Sequence, residues 1–555
     1  MKKLIALLLA VLMVMTMFAG CAQDDAATTT AAPVADDKTP EETKAPAAEG
    51  DEPTTEVKEF TLAVGSNDKR PAMEECWIWD KYEEMTGIHI NWVEIPSSAV
   101  DERKNLMMLS DSEKPDAFWT ITWGAADLLK YGSAGQLVNL NDYPDAWPNL
   151  RNLLENEING GIAAVTMPDG GIYGLPNIYM DTWGPSSRLW IPKAWLEALN
   201  MEVPTSIDEL TAFFAGVKAN DVNGNGDPND EWPIWPSSGA LNWGYELTLA
   251  GAYGLGDGGL KPLNQMYVAR EDDTVDFLYT TEEMKALWQQ EAEWWAAGYF
   301  YPDTFAGFEY ETWTTAGLNG QVGTFTWVGA DYVYNQAWKD YTYPDNLSSD
   351  ISEGCLAWID FNVRSYAHMS ITDACDDPAT LISWCDFFYG EEGTIFNLYG
   401  IEGETFNYDE NGKIRYTDDI LNFANGPQLG GWDKGLFVYG NFPHVGPGEA
   451  EMGYATQGDT EYTQDVIRYE EAIKPYLPKN RLPGMIALAD EADEMSTLAT
   501  DLSAFVDESR MYFVTGEWNF EEDWDAYVDQ LKSIGVDRYV EILQGAYNRY
   551  LANVG

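Results

Sequence analysis

Five consecutive segments decide the fold: Phe60-Thr-Leu-Ala-Val-Gly65, Ala72 to Thr86, Ile88-His-Ile-Asn-Trp-Val-Glu-Ile95, Asp101 to Ser110, and Ala117-Phe-Trp-Thr-Ile121. The first is an apolar run entering a glycine turn and reads as a strand. The third alternates apolar and polar residues with a period of two, as a strand does. The second and fourth read as helices, the second stopped by Gly87. Strand and helix therefore alternate, which requires crossover connections and implies an α/β chain with a mainly parallel sheet. In such open sheets a ligand sits beyond the carboxyl ends of the strands. That rule places Asn67, Asp68 and Thr122-Trp123-Gly124 beside any cleft.

Toward the C-terminus the same reading continues. Arg188-Leu-Trp-Ile-Pro192 and Gln321 to Trp327 read as strands, and Ser206-Ile-Asp-Glu209 opens a helix as a capping box. Thr281 to Ala297 is helical, with Gly298 at its end. Tyr408 to Ile414 carries an Asn-Gly hairpin turn. Leu502, Val506 and Phe513, then Asp523 to Ile534 and Asp537 to Leu551, give a helical C-terminus with apolar stripes spaced for core packing.

Toward the N-terminus the character changes. Lys2 and Lys3 precede an apolar run, Leu4 to Phe18, ending in Phe18-Ala19-Gly20-Cys21. A basic start, a short apolar stretch and small residues make a secretory signal. A cysteine at the cut site resembles a bacterial lipobox, so Cys21 is expected to carry a lipid and become the mature N-terminus. Ala22 to Val57 is Ala-, Thr-, Pro- and acid-rich and reads as a disordered tether. Lipid and tether together place the body at the extracellular face of a cell membrane. No C-x-x-C occurs, and the pairing of Cys76, Cys355, Cys375 and Cys385 stays open.

The whole chain has 555 residues, enough for two to four domains. Lys and Arg total 32 against 92 Asp and Glu, a net charge of −60. Such a field repels phosphate backbones and anionic lipid, which excludes nucleic acid as a partner and leaves only the lipid anchor for the membrane. Three histidines, His89, His368 and His444, give a histidine triad or multi-histidine metal site no support.

The order of motifs resembles the bacterial extracellular solute-binding proteins of family 1, receptors of sugar-importing ABC transporters. Lys81-Tyr-Glu-Glu-Met-Thr-Gly-Ile88 before an alternating strand is similar to the start of that family. Gly171-Ile-Tyr-Gly-Leu-Pro176, Leu189-Trp-Ile-Pro-Lys-Ala-Trp-Leu196 with Val203-Pro-Thr-Ser-Ile-Asp-Glu-Leu210, Gly400-Ile-Glu-Gly-Glu404 and Asp523 to Leu531 resemble later segments, in order. The branch resembled is the large lipoprotein-type oligosaccharide receptors. The resemblance implies a two-lobe, periplasmic-binding-protein-like α/β fold with a hinge and a central ligand cleft. It also implies ABC permease subunits as partners and no catalysis. A monomer is expected. The expected division is signal and lipobox 1–21, tether 22–57, first lobe 58–180 and 355–420, and second lobe 181–354 and 421–555.

Within that frame, Asp221-Val-Asn223-Gly-Asn225-Gly226-Asp227-Pro-Asn229-Asp230-Glu231 is the sharpest chemical motif. Oxygens at positions one, three and five, with glycine at six, match the start of an EF-hand loop. The twelfth position is Trp232, so Asp230 or Glu231 must supply the late carboxylate. The expected metal is a structural Ca2+ held by Asp221, Asn223, Asn225, Asp227, Asp230 and Glu231. Sugars present apolar faces and hydroxyl edges, which aromatic rings and polar side chains match. The expected ligand contacts are Asn67, Asp68, Trp123, Trp243, Trp327, Trp358 and Arg364, while Glu94, Trp119 and Trp190 fit a structural role equally well. Two other readings stay open at this point: a peptide receptor using the same cleft, and a secreted carbohydrate-active enzyme with a carboxylate pair.

Overall fold

The computed structural model describes residues 58–66, 70–110, 112–179, 188–236, 245–256, 266–307, 309–327, 337–356, 363–424, 427–436, 443, 445–446, 448–477 and 486–554. Fourteen strands lie among them: β1 (Lys58–Gly65), β2 (Ile88–Ile95), β3 (Ala117–Trp119), β4 (Leu175–Tyr179), β5 (Arg188–Pro192), β6 (Trp232–Ile234), β7 (Tyr267–Ala269), β8 (Val275–Phe277), β9 (Val322–Trp327), β10 (Tyr341–Thr342), β11 (Val363–Ile371), β12 (Phe406–Tyr408), β13 (Ile414–Tyr416) and β14 (Val445–Gly446). Two sheets organise them. The first has the order β14-β4-β11-β3-β1-β2, and the second has β10-β5-β9-β6.

The first sheet is built from the segments that open the body. β1 pairs in parallel with β2 and β3, as crossover helices require. Both of its faces are covered along Leu62 to Val64, which is why these three consecutive residues are apolar and buried. Leu62 and Val64 enter a core with Trp79, Trp92, Trp119 and Trp147, while Ala63 and Phe118 enter a second core with Met107, Trp123 and Tyr131. Trp119 is fully buried, with ring centroids 5.7 Å from Trp79, 6.1 Å from Trp92 and 5.5 Å from Trp384. Its role is packing.

The sheet is mainly parallel, as expected: β14, β4, β3, β1 and β2 run the same way, and of its six strands β11 alone is reversed. β11 returns from far along the chain and lies antiparallel to both β3 and β4. Gly174, from the Gly-Ile-Tyr-Gly-Leu-Pro motif, makes room for it: a Cβ there would sit 2.1 Å from the Cβ of Ala367. The core of this sheet also takes in Phe406, Tyr416, Ile420, Leu436, Met452 and Ala455.

In the second sheet β5 pairs antiparallel with β9 and β10, and β6 pairs parallel with β9. A Cβ on Gly323 would lie 2.6 Å from the carbonyl oxygen of Pro233, so glycine there permits the close β6–β9 approach. The core beneath joins Trp195, Phe213, Phe214, Tyr267 and Trp288 to Phe513, Trp524, Tyr527 and Tyr539. The last four come from the C-terminal helices Ala492–Thr515, Trp524–Ile534 and Val536–Val554. The apolar stripes of the C-terminus thus close the second lobe. No helix among the described residues is long and apolar enough to cross a membrane.

One polar cluster lies inside that core. Arg510 donates to Glu291 through Nη2 at 2.8 Å and Nε at 3.1 Å, and its Nε lies 3.3 Å from Glu246. Trp288 Nε1 donates to Glu246. Glu246 and Glu291 are fully buried, so two carboxylates share one guanidinium. Burial pushes the Glu246 carboxyl up to about 7, against the pull of Arg510, and burial pushes Asp507 up to about 6. Because the folded state holds the Glu246 proton more tightly than an unfolded chain, this group's stabilisation is complete below the ordinary value of 4.5 and is lost as pH rises through about 7. Glu246→Gln should therefore melt a few degrees above the natural protein at pH 8 and close to it at pH 5. Thermal unfolding across that range measures it. Asp507 leaves a residual slope of the same sign, and parallel profiles for the two proteins would contradict the assignment.

Candidate functional site

The site is built where the strands of the two sheets end and the chain passes between them. On the first sheet, β1 ends at Gly65 and β2 at Ile95, joined by Ser66 N–H donating to the Ile95 carbonyl at 2.7 Å. Arg70 donates to the Gly65 carbonyl and to Glu94, both at 3.0 Å, and Glu94 accepts from Met73 N–H at 2.7 Å. Glu94 is therefore engaged in holding this edge.

β3 is shorter than its sequence suggests. It stops at Trp119 because Thr120 turns into the left-handed region, with φ 54°. A β-branched residue resists that conformation, which costs on the order of 1–3 kcal/mol. The Thr120 N–H donates to the His368 carbonyl at 2.6 Å and holds the turn. Lys104, itself buried, reaches the Thr122 carbonyl at 3.4 Å and places its ammonium 4.7 Å from the Trp123 ring centroid. Trp123 also packs edge-on against Phe118 and Tyr131 at 5.3 and 5.7 Å. It is 3% exposed, so its ring is engaged with its own lobe.

The second sheet presents an aromatic edge. Arg188 opens β5 opposite Trp327, the last residue of β9. Trp190 Nε1 donates to the Trp327 carbonyl at 2.9 Å, and the Trp327 ring lies 6.1 Å from Trp313 and is partly exposed. Trp235, just past β6, stacks on Tyr301 with centroids 3.6 Å apart and planes 6° from parallel. The Arg188 guanidinium lies 4.7 Å from Tyr469 and 5.1 Å from Tyr343, within cation–π range. Of the residues expected to touch ligand, Trp327 stands at this edge and Trp123 at the other. Asn67, Asp68, Trp243 and Trp358 lie outside the described residues, as do the side chain of Arg364 and all of Cys21; the backbone of Arg364 lies in β11. The sequence reading missed Arg188, Tyr301, Tyr343 and Tyr469. Only Arg188 carries a signal, as a cation opening an otherwise apolar strand.

The acidic loop folds at the base of the same sheet. Asp221 accepts from Asn225 N–H at 3.1 Å and Gly226 N–H at 2.8 Å. Asn223 Oδ1 accepts from Asn225 N–H at 2.9 Å. Asp230 draws in Asn225 Nδ2 at 2.8 Å and Gln321 Nε2 at 2.9 Å. Gly224 and Gly226 have φ of 71° and 96°, the turns that fold these oxygens toward one another. Glu231 is 2% exposed; its Oε1 accepts from Asn223 N–H at 3.2 Å, and its Oε2 is buried without a hydrogen-bond partner. Burial raises its carboxyl above the ordinary value. An oxygen-only donor set with one orphaned buried carboxylate oxygen suits a hard divalent cation. Asn225 and Asp227 make the same local bond as Asn223, Asn225 Oδ1 accepting from Asp227 N–H at 2.8 Å and Asp227 Oδ1 from Asn229 N–H at 3.1 Å.

Comparison with known proteins bears on the fold and the family. The chain is 24% identical over 524 residues to the fructooligosaccharide ABC transporter substrate-binding protein FusA of Streptococcus pneumoniae, covering 90% of this chain and 92% of that protein. The structure of a FusA EF-hand mutant with fructo-nystose superposes with a TM-score of 0.69 at 22% identity, over 89% of this chain and 100% of the other. An HMO-binding, ABC-transporter-associated solute-binding protein from Bifidobacterium longum infantis gives 0.70 at 19% identity, over 89% and 99%. These neighbours share the two-lobe α/β fold. A family model described as bacterial extracellular solute-binding protein matches residues 77–360, just over half of the chain. The chain belongs to that family of bacterial extracellular solute-binding proteins.

Proposed function

We propose that this protein captures a neutral oligosaccharide and delivers it to the permease subunits of an ABC importer. The observation that carries this reading is the aromatic edge of the second sheet, where Tyr301 and Trp327 stay partly exposed, backed by the buried Trp235 and Trp313. Flat rings of this kind match the C–H faces of a sugar. The similarity to a fructooligosaccharide receptor over nine-tenths of the chain supports the same class of ligand. Trp243, Trp358, Asn67, Asp68 and Arg364 complete the proposed contacts. Trp123 acts from beneath, holding the loop after β3.

The proposed lobes are joined by three crossings: between Tyr179 and Arg188, between Leu356 and Val363, and after Gly446. Closure about these crossings needs a ligand that touches the closed arrangement better than the open one. A lipid on Cys21 and the tether 22–57 would hold the body at the outer face of the membrane and leave it free to reach the permease. The protein acts as a monomer and performs no catalysis in this reading.

Calorimetric titration with kestose and with alginate oligosaccharides tests the ligand class, with the same tubes assayed for cleavage. Saturable binding of kestose, recovered intact, is expected, and Trp327→Ala should weaken it by about tenfold or more. Products in the tube would overturn the non-catalytic reading. Binding only to a short-peptide mixture would replace the ligand.

The acidic loop is proposed to hold a structural Ca2+ through Asp221, Asn223, Asn225, Asp227, Asp230 and Glu231. The cation would supply positive charge beside Asp221, Asp230 and the buried Glu231, though no three acidic side chains among the described residues are already gathered at ligand spacing. Its loop is tied to the start of β9, since Asn223 Nδ2 donates to the Gly320 carbonyl at 3.1 Å and Trp232 N–H donates to the Gln321 carbonyl at 2.9 Å. Chelation with EGTA should lower the melting temperature and added Ca2+ should restore it, while Asp221→Ala should abolish the difference. Unchanged melting, with no metal found by elemental analysis, would contradict the assignment.

A further inference from the structure

A cavity of about 900 Å³ lies apart from the strand ends that form the candidate cleft. Its floor is apolar: Leu153, Ile395, Ile414 and Val445. Its rim carries tyrosine rings, amides, a threonine, carboxylates and one ammonium. The volume falls in the range of small-molecule sites, about 300–1,000 Å³. The rim is also partly organised. Asn152 Nδ2 donates to Glu157 at 2.6 Å, Tyr399 O–H donates to Glu451 at 2.9 Å, and the Lys413 ammonium stands 4.3 Å from the Tyr454 ring centroid. The helix Glu391–Tyr399 begins at this rim with Gly390 as its N-cap and no side-chain cap, so its first amides are available to an oxygen ligand.

The walls come from both lobes. Tyr389 donates its hydroxyl to the Pro176 carbonyl on β4, and Val445 lies on β14 beside Ile178. The opposite wall includes Ile467, on the helix Glu461–Ile473. That helix packs Tyr469 and Ile473 into the cluster of Trp190, Trp313 and Phe325, which belongs to the second sheet. The same helix packs on Glu449–Gln457, which lines the cavity from the first sheet's core, so this wall links the cavity to both sheets.

We propose that the cavity is a second saccharide site, taking a neutral mono- or disaccharide, and that its occupancy biases opening and closure of the cleft. The chemical class rests on the receptor reading above and on the lining. Glu157, Glu391 and Glu451 outnumber Lys413, which disfavours an anion, and tyrosine faces alternating with amides and hydroxyls suit a sugar better than a wholly apolar guest. A guest that fits only one lobe arrangement shifts the equilibrium by its differential affinity, commonly about 5–150-fold.

Hydrogen exchange of the full chain, with sucrose and with kestose as probes, tests this. Sucrose should slow exchange in 389–395 and 449–457. Thr394→Trp, which plugs the cavity, should abolish that protection and change kestose affinity by about fivefold or more. Asn152→Leu, a smaller perturbation, should weaken the sucrose protection in a chain whose melting is unchanged. Kestose protection at 118–124 and 322–327, with 389–395 unaffected by either sugar, would overturn this proposal and leave the receptor reading standing. No protection anywhere with either probe would overturn both.

Discussion

Strand β11 is the constraint on which the two-lobe arrangement depends. It enters the first sheet between β3 and β4 and hydrogen-bonds to both, so the first lobe is incomplete until residues 363–371 return to it. The described residues between β4 and β11 build the second sheet, whose core they share with the C-terminal helices. The contact is sterically demanding, since Gly174 leaves no room for a side chain against Ala367. An insertion of this kind requires the chain to leave the first sheet after β4 and return to it at β11.

The charge of the molecule is distributed to match. Most of the acids among the described residues lie where water can screen them, but Glu246 and Glu291 are enclosed with a single guanidinium. Removing Arg510 would leave both carboxylates buried without a cation, at a cost of about 3–5 kcal/mol, whereas the net contribution of the group over an apolar replacement is small. Arg510 stands on the long helix Ala492–Thr515 and Glu291 on Glu282–Ala296, so the cluster ties the C-terminal helices to the second lobe in one register. The acidic loop makes a similar link at the other end of the lobe. It binds the start of β9, the strand that ends in Trp327, so the base and the aromatic edge of the second sheet are parts of one ladder.

Much of the fold is legible in the residues. β2 and β5 fall on the spans that period-two alternation and the apolar run Arg188 to Pro192 indicate, and Gly87 and Gly298 end their helices with φ of 69° and 72°. Ser206 caps its helix by accepting from Glu209 N–H at 3.2 Å. The misreadings are equally physical. Thr120 belongs to an apolar run and gives no local sign of turning left-handed; the bond to the His368 carbonyl, nearly 250 positions away, decides it. The first sheet is mainly parallel, as strand–helix alternation indicates, but that alternation does not register β11, the antiparallel strand that returns from beyond the second sheet.

The candidate site divides along the same line. Residue type by itself determined the aromatic richness, the lipobox-like cysteine and the oxygen-only loop, because these are properties of composition and short spacing. Tertiary structure alone decided what each aromatic ring does. Trp123 lies over Lys104 inside its own lobe, Trp119 is enclosed by other tryptophans, and Trp327 remains partly exposed at an edge. Tyr301, Tyr343 and Tyr469 reach that edge from three separate segments. A ring's availability depends on which faces are already covered, and those faces are covered by residues that sequence distance keeps far apart.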